Sequence, residues 1–375
     1  MMLRNMIFTV LLFGLVIGIS SRTINEKGLS GEKCIRMEDS IAENYTLTLL
    51  PAKRCSVLKS DTNYVWGGSP IKGDDGLYHL FYSRWNKKYG FLAWVTNSEI
   101  AHAVSPFPEG PYVFKDLALP PRGQEFWDGL NTHNPTIHKF DGKYYLYYTG
   151  NTGDGINVRN GLNFSHRNNQ RIGVAVSESL NGPWTRFDTP LIDVSDDSTA
   201  YDALMVANPS ITRTPEGKYL MIYKAVAKKK KGIFGGPVVH LYAFSDTPVG
   251  PFIKSNVPIF TVEGVDFPAE DPYIWCENGI YYAIVKDMHG AFTHKGRSLA
   301  LFYSLDGIDW KPCNKTLLSV PQIKWDDGEI TKLSHMERPQ LLIVNGKPVM
   351  AFFAVDNMLD YIKDGESYNV HIPLE

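Results

Sequence analysis

Residues 133–150, HNPTIHKFDGKYYLYYTG, contain the unit from which most of this chain is built. A residue followed by proline opens an apolar run, a glycine turn comes next, and an aromatic-rich run ends the unit. Related stretches begin at Ala207 (ANPSITRTPEGKYLMIYK) and Glu270 (EDPYIWCENGIYYAIVKD), and shorter ones contain Ser69-Pro70 and Arg338-Pro339. The five prolines are 63 to 74 residues apart. Such a period indicates one structural unit that is repeated and stacked.

A second element follows the first four prolines by about 40 residues. It is an alternating strand that ends in a turn, as in GVAVSESLNGPW from Gly173. Each repeat therefore supplies an inner strand, a tight turn, a second strand, a loop, a third strand and a short outer strand. Four antiparallel strands repeated radially form a propeller blade. We predict an all-β fold, a five-bladed β-propeller of four-stranded antiparallel blades around a central channel.

The chain is too short at its C-terminus to complete the last blade. After the second strand of the fifth repeat, only about 20 residues remain, enough for one further strand. We therefore expect residues 55–64 to pair with the last repeat and close the ring, because unpaired strand edges would otherwise remain. The predicted organisation is a signal peptide at 1–20, an N-terminal arm at 21–56 and a propeller catalytic domain at 57–375.

The N-terminus and the composition suggest where the protein works. Arg4 precedes an apolar stretch at 6–19, which is typical of a secretory signal, so we expect a secreted or periplasmic protein that is free of the membrane after signal cleavage. A net charge of −2 gives no reason to expect a nucleic acid partner. We expect a monomer. The most economical pairing of the four cysteines joins Cys34 to Cys55 and Cys276 to Cys313.

Side chains that lead into the five inner strands should meet at the mouth of the channel. They are polar, aromatic and acidic, and a polar residue before proline can also serve merely to cap a strand. The predicted substrate-binding residues are Trp66, His133, Asn134, Asn208, Asp271, Glu337 and Arg338, with Glu270 beside them. Because Glu270 and Asp271 are neighbours on a strand, we expect one to face the pocket and the other to face the blade.

Two further aspartates stand at matched positions. Asp128 and Asp202 each lie seven residues before their cassette proline, within the shared pattern aromatic-Asp-x-Leu-x-x-x-Asn-Pro. The duplication favours a structural role in the loops before the inner strands. The alternative is a catalytic role, since separated carboxylates around an aromatic-lined polar pocket are what glycoside hydrolysis requires.

The cassettes, together with SESLNGPW from Ser177, resemble the five-bladed glycoside hydrolases, above all family 43, over residues 66–355. The resemblance implies a catalytic base immediately before the first-blade proline, a pKa-tuning aspartate in the third blade and a general acid two residues before the fourth-blade proline. Glu270 matches the acid. Ser69 occupies the expected base position and Asn208 the tuning position, and neither is a carboxylate.

We therefore predict an exported glycosidase with Glu270 as acid, Asp202 or Asp128 as base, and inversion as the outcome that the resemblance implies. A carbohydrate is the expected partner. We predict no cofactor and no metal, and His335 is a loose candidate for the metal that this family often holds. The alternatives are a carbohydrate-binding propeller without catalysis and a phosphorolytic relative that would use Arg338 and Lys286. The 150–169 loop, with Arg159, His166, Arg167 and Arg171 nearby, is either a solvated loop or a site for an acidic or sulfated sugar.

Overall fold

The computed structural model describes residues 37–158, 161–358 and 365–375. Five four-stranded antiparallel sheets lie in a ring as the blades of a β-propeller, which confirms the predicted fold. The innermost strands of successive blades contact one another, and those of the last and first blades also meet. Residues from Ala42 to Glu375 form one compact unit, so part of the predicted N-terminal arm packs with the propeller.

The strands are numbered in chain order, and β1 (Val57–Leu58) belongs to blade V. Blade I contains β2 (Asn63–Lys72), β3 (Tyr78–Asn86), β4 (Glu99–Ser105) and β5 (Val113–Leu119). Blade II contains β6 (Asn131–Phe140), β7 (Lys143–Asn151), β8 (Arg171–Ser177) and β9 (Thr185–Arg186). Blade III contains β10 (Met205–Arg213), β11 (Tyr219–Val226), β12 (Val238–Ser245) and β13 (Ile253–Lys254).

Blade IV contains β14 (Ala269–Glu277), β15 (Ile280–Asp287), β16 (Ser298–Ser304) and β17 (Lys311–Ser319). Blade V contains β20 (His335–Val344), β21 (Lys347–Asp356), β22 (Ser367–Pro373) and β1. A separate hairpin is formed by β18 (Gln322–Lys324) and β19 (Ile330–Lys332). Short helical segments cover residues 37–43, Lys87–Tyr89, Phe91–Ala93, Trp94–Asn97 and Phe164–Asn168. No helix in the described ranges is long and apolar enough to cross a membrane.

The turns between first and second strands follow from their sequences. In the pairs Asp141-Gly142, Asn278-Gly279 and Asn345-Gly346, both residues have positive φ. This backbone is that of a type I′ turn, whose twist suits a two-residue hairpin and favours Asn-Gly or Asp-Gly. The second strands that follow are buried between neighbouring blades on both faces, as in β15, where all eight residues are buried. Their apolar side chains therefore provide the packing between blades.

The ring is closed by the N-terminal segment, as the sequence predicts. In β1, Val57 pairs with Val370 and Leu58 with Asn369 of β22, so β1 is the outermost strand of blade V. Asn63 and Tyr64 lie instead in β2 of blade I. The first blade and the last are thus joined by consecutive residues, which removes the open edge at the join.

The proposed disulfide between Cys276 and Cys313 is absent, and both thiols are free. Cys276 lies on the innermost strand of blade IV and Cys313 on the outermost strand. Three strand spacings of about 4.8 Å separate these strands, whereas bridged cysteines have Cα atoms within about 7 Å. The other expected pair includes Cys34, which lies outside the described residues, as does the predicted signal peptide.

Candidate active site

A β-bulge interrupts the innermost strand of every blade at the same depth in the channel. The pairing register breaks at these points, between Trp66 and Ser69 in blade I and between Glu270 and Tyr273 in blade IV, for example. One residue in each bulge has φ between 50° and 55°. These residues are Gly67, Asn134, Asn208, Asp271 and Arg338. Glycine, asparagine and aspartate are the residues that tolerate this backbone best, which explains four of the five identities.

The five bulge residues form the floor of the channel, and hydrogen bonds join the four of them that have side chains. Asn134 donates from Nδ2 to Asn208 Oδ1 at 2.7 Å, and Asn208 donates from Nδ2 to Asp271 Oδ1 at 2.7 Å. Arg338 donates to the same Asp271 oxygen at 3.4 Å and to the Asn134 carbonyl at 3.5 Å. A Cβ atom on Gly67 would lie 3.2 Å from Asn134 Oδ1. The floor is therefore a continuous polar ring.

The bulges correct the sequence alignment in blade I. The residue equivalent to Asn134 and Asp271 is Gly67, two positions before Ser69. Ser69 instead lies below the floor, where its Oγ accepts a hydrogen bond from the Ile137 amide, as Ser210 Oγ does from the Ile274 amide. Gly67 therefore occupies the position at which the family resemblance implies the catalytic base. Glycine has no side chain that could accept a proton.

The residue before each bulge residue forms a second layer nearer the mouth. This layer consists of Trp66, His133, Ala207, Glu270 and Glu337, all of which line one pocket of about 360 Å³. Glu270 and Asp271 both line it, contrary to the expectation that one of them would face the blade. Alternation along a strand requires regular pairing, and the bulge removes that regularity.

Three carboxyl groups meet at the bottom of this pocket. One oxygen from each of Glu270, Asp271 and Glu337 lies within 4.8 Å of the others. Lys286 Nζ donates to Glu270 Oε2 at 2.9 Å and to Glu337 Oε1, while Lys224 Nζ donates to Glu270 Oε1 at 2.6 Å. An ammonium group already sits where a metal ion would balance these charges, and we assign no metal to the cluster.

Glu270 and Asp271 differ in how their surroundings affect ionisation. Burial works to raise the pKa of Glu270, but the positive charges of Lys224 and Lys286 outweigh it and hold the pKa well below the usual range. Burial raises the pKa of Asp271, opposed by Arg338 and reinforced by Glu270 and Glu337. This environment does not favour the expected role of Glu270 as general acid, because that role requires a carboxyl group that holds its proton.

The opposite wall of the pocket is aromatic. Trp66, Trp85, Phe91 and Trp94 line it. The His133 ring stacks on Trp94, with centroids 4.9 Å apart, and its Nδ1 forms a 2.7 Å hydrogen bond with Ser98 Oγ. Burial, with a contribution from the charge of Arg338, lowers the pKa of His133 to about 3, so the imidazole is neutral at physiological pH. An aromatic wall facing a polar wall suits a ring-shaped ligand that is apolar on one face and hydrogen-bonding at its edge.

Asp128 and Asp202 do not line this pocket. Asp128 is completely buried and accepts from Arg122 Nε at 2.7 Å, Tyr148 OH at 2.7 Å and Arg186 Nη1 at 3.3 Å. Asp202 pairs with Lys254 at 2.6 Å. Both carboxylates have cationic partners and neither lines the pocket, an arrangement that does not favour their predicted role as the catalytic base. The structural alternative for the duplicated pattern is the one that the structure favours.

Of three other predicted residues, Arg338 and His335 lie outside the pocket lining and Asn208 is part of it. Arg338 is buried in the floor. His335 is held between Asp356 Oδ1, 2.9 Å from Nδ1, and Arg297 Nη1, 2.5 Å from Nε2. Asn208 lines the pocket and gives both amide groups to the floor ring, which fits a positioning role better than a tuning one.

Several lining residues are not among those predicted from the sequence. One is Lys224, which occupies the position opposite Ala207 that Lys286 occupies opposite Glu270 in the strand pairing. A signal existed, since both lysines come near the end of the aromatic-rich run in their repeats. Trp94, Phe234 and Phe267 come from loops whose conformation no repeat pattern predicts.

Comparison with known proteins defines the class of fold to which this site belongs. No model of a known family matches the chain, and no curated protein matches it. Solved propeller glycoside hydrolases do resemble it. A family 117 glycoside hydrolase from the marine bacterium Zobellia galactanivorans is 18% identical, with 89% of this chain and 91% of that chain covered and a TM-score of 0.61.

Two other solved structures give the same result. A complex of BT0996 with RGII is 13% identical, with 90% and 94% coverage and a TM-score of 0.64. A thermostable family-43 glycoside hydrolase is 15% identical, with 87% and 91% coverage and a TM-score of 0.55. The resemblance to five-bladed glycoside hydrolases is therefore confirmed at the level of the fold.

Proposed function

We propose that this protein is a glycosidase that cleaves a bond in an oligo- or polysaccharide, with Asp271 as the general acid and Glu270 as the ionised partner. One observation carries the proposal: the pocket holds carboxyl groups whose surroundings push their ionisation in opposite directions. Asp271 Oδ1 accepts hydrogen bonds from both Asn208 and Arg338, and Oδ2 has no partner among the described residues, so Oδ2 can carry the proton.

The spacing supports a double-displacement reaction. Asp271 gives its proton to the glycosidic oxygen as the bond from that oxygen to the anomeric carbon breaks, and Glu270 attacks the anomeric carbon to form a glycosyl ester. Asp271, now ionised, then removes a proton from water, which attacks the same carbon and releases Glu270. Retaining enzymes have carboxyl groups about 5–5.5 Å apart and inverting ones about 6.5–9.5 Å. One oxygen of Glu270 and one of Asp271 lie within 4.8 Å of each other, which leaves less room for a water between the groups than inversion needs, and on this basis we propose retention in place of the inversion that the resemblance implied.

A second candidate function is carbohydrate binding without catalysis. It is favoured by Gly67 at the position of the family's base and by the pairing of both Glu270 oxygens with lysines. A charged group held in two strong hydrogen bonds is a weak nucleophile. The aromatic wall would serve a binding protein equally well.

One experiment separates these functions. The purified protein is incubated with a panel of plant, algal and host oligosaccharides, and the anomer first released is followed by NMR. We expect at least one substrate to be cleaved with retention of configuration. Cleavage with inversion would overturn the assigned roles of Asp271 and Glu270. Saturable binding with no cleavage of any member of the panel would favour the binding function.

We also propose export, which is supported by Arg4 and the apolar stretch at 6–19. Expression of the full chain in a secreting host, followed by N-terminal sequencing of the protein from the medium, tests this. We expect a new N-terminus close to residue 21. Retention of the intact chain inside the cell would contradict export.

A further inference from the structure

Arg167 lacks the carboxylate partner that Lys224 and Lys286 have in the same pocket. Arg167, in the helix Phe164–Asn168, lines the pocket and has only 4% of its surface exposed. Its Nη1 donates to Asn168 Oδ1 at 2.9 Å and to the Phe234 carbonyl at 2.6 Å, and its guanidinium carbon lies 4.2 Å from the centre of the Phe234 ring. Its Nε and Nη2 have no hydrogen-bond partner among the described residues.

The two lysines of the site are paired with carboxylates, and Arg297 is hydrogen-bonded to His335. Lys224 and Lys286 pair with Glu270, and Lys286 also pairs with Glu337. Arg167 forms no ion pair within 4.0 Å in the described parts of the chain, although it lies near enough to Glu270 to feel its charge. Burial lowers the pKa of Arg167 to about 10, which leaves the guanidinium charged at neutral pH. A buried charge without a partner is costly to the fold.

The shape and charge of the site indicate what would balance Arg167. Four basic residues line the described pocket, Arg167, Lys224, Lys286 and Arg297, against three acidic ones, Glu270, Asp271 and Glu337. A guanidinium with two free N–H groups matches two oxygens of a carboxylate or sulfate. Phe234 covers one face of the guanidinium and fixes its plane, so the two free N–H groups are oriented before a ligand binds.

We propose that Arg167 binds an anionic substituent, a carboxylate or a sulfate ester, on the saccharide that occupies this pocket. The identity of the ligand as a saccharide rests on the proposed function, whereas the anion site rests on Arg167 itself. Among the other basic residues expected near this loop, His166 bonds to Asn151 Oδ1, Arg171 pairs with Asp193, and Arg159 lies outside the described residues.

The test measures binding rather than turnover, so it is independent of catalysis. Titration calorimetry is carried out on Asp271→Asn protein, with and without Arg167→Gln, using oligogalacturonate, a sulfated galactan oligosaccharide, a neutral arabinan oligosaccharide and inorganic phosphate. Arg171→Gln is the matched control, because Arg171 is an arginine of the same segment that pairs with Asp193 outside the pocket lining. We expect an acidic oligosaccharide to bind and Arg167→Gln to weaken it at least about 10-fold, with neutral binding and the control unchanged.

The melting temperature separates a binding role from a structural one. Removal of an unpaired buried charge should leave the melting temperature of Arg167→Gln equal to or above that of its parent. A marked fall in melting temperature with unchanged acidic-ligand affinity would make Arg167 structural and overturn the proposal. So would the failure of every acidic oligosaccharide to bind. Binding of inorganic phosphate alone, lost in Arg167→Gln, would replace the sugar substituent with free phosphate as the ligand and favour the phosphorolytic alternative.

Discussion

Two sets of carboxylates in this propeller differ in how their negative charges are paired. Asp128 and Asp202 lie outside the pocket, and both are neutralised by arginine or lysine. Glu270, Asp271 and Glu337 crowd together in the pocket, where a single lysine bridges two of them and the third has a raised pKa. The first arrangement stabilises loops. The second keeps charge and protons available at a surface that a ligand can reach, which is typical of functional sites.

The largest effect is expected when the proton carrier is removed. Asp271→Asn preserves the acceptor oxygen for Asn208 but eliminates the transferable proton. We expect kcat/KM on a cleaved oligosaccharide to fall by about 100- to 10,000-fold. The matched control is Asp202→Asn, whose rate per folded molecule should stay within about twofold of the wild-type value. An equal loss of kcat/KM in Asp271→Asn and Asp202→Asn would contradict the proposed difference between the carboxylates in the pocket and those outside it.

The second effect concerns stability rather than rate. Asp128→Asn leaves Arg122 and Arg186, both mostly buried, without their shared carboxylate. Breaking a buried ion pair from one side costs about 3–5 kcal/mol, and the partial exposure of both arginines places this case near the lower end. Urea unfolding should therefore show a loss of about 3 kcal/mol, with the initial rate per folded molecule unchanged. A lower rate per folded molecule with an unchanged free energy of unfolding would instead support a catalytic role for Asp128.

The third prediction concerns how the contributions of Glu270 and Asp271 to the stability of the fold depend on pH. Since the folded-state pKa of Glu270 is lowered, its ionised form stabilises the fold above about pH 4.5, and this contribution is lost as the pH falls through the folded pKa. The pKa of Asp271 is raised, so its contribution is present below about pH 3.8 and is lost as the pH rises through the folded pKa.

These opposite pKa shifts predict opposite changes in melting temperature for two isosteric variants. Glu270→Gln should melt below wild type at pH 7, and the gap should narrow as the pH falls below about 4.5. Asp271→Asn should melt at or above wild type at pH 7. Calorimetric melting curves from pH 3 to pH 8 provide the measurement. If Asp271→Asn were the less stable variant at pH 7, Asp271 would be an ionised structural group and the acid would have to be sought elsewhere.

The fold was predictable because its signal is repeated. Five cassettes with X-Pro steps, glycine turns and aromatic-rich strands specified the blades, and the shortage of C-terminal residues indicated that an N-terminal strand closes the ring, as β1 does. The site was predictable only in part. Residues beside the prolines do reach the pocket, because the bulges of blades II, III and IV each bring two consecutive residues to its lining.

Other parts of the site depend on geometry that residue types do not show. The two-residue offset in blade I, where Gly67 rather than Ser69 is the bulge residue, has no proline to mark it. The matched pattern around Asp128 and Asp202 left a structural and a catalytic role open, and it is the arginine and lysine partners, distant in sequence, that favour the structural one. Of the two lysines that pair with Glu270, Lys286 lies in the same cassette but Lys224 comes from blade III, so the surroundings of Glu270 could not be judged from its own cassette.

The smallest effect is expected at Asp202, and it sharpens the comparison within the structural set. Lys254 keeps 30% of its side chain exposed, so losing its pair with Asp202 lets the ammonium return to water rather than remain buried and unpaired. We expect Asp202→Asn to cost about 1 kcal/mol, much less than Asp128→Asn. A double-mutant cycle with Lys254→Met should give a coupling energy of about 0.5–1 kcal/mol by urea unfolding. A coupling near zero would mean that Asp202 stabilises its loop without the help of Lys254. A cost equal to that of Asp128 would mean that the exposure of the cationic partner does not set the stability cost, and would contradict the expected ranking of the two aspartates.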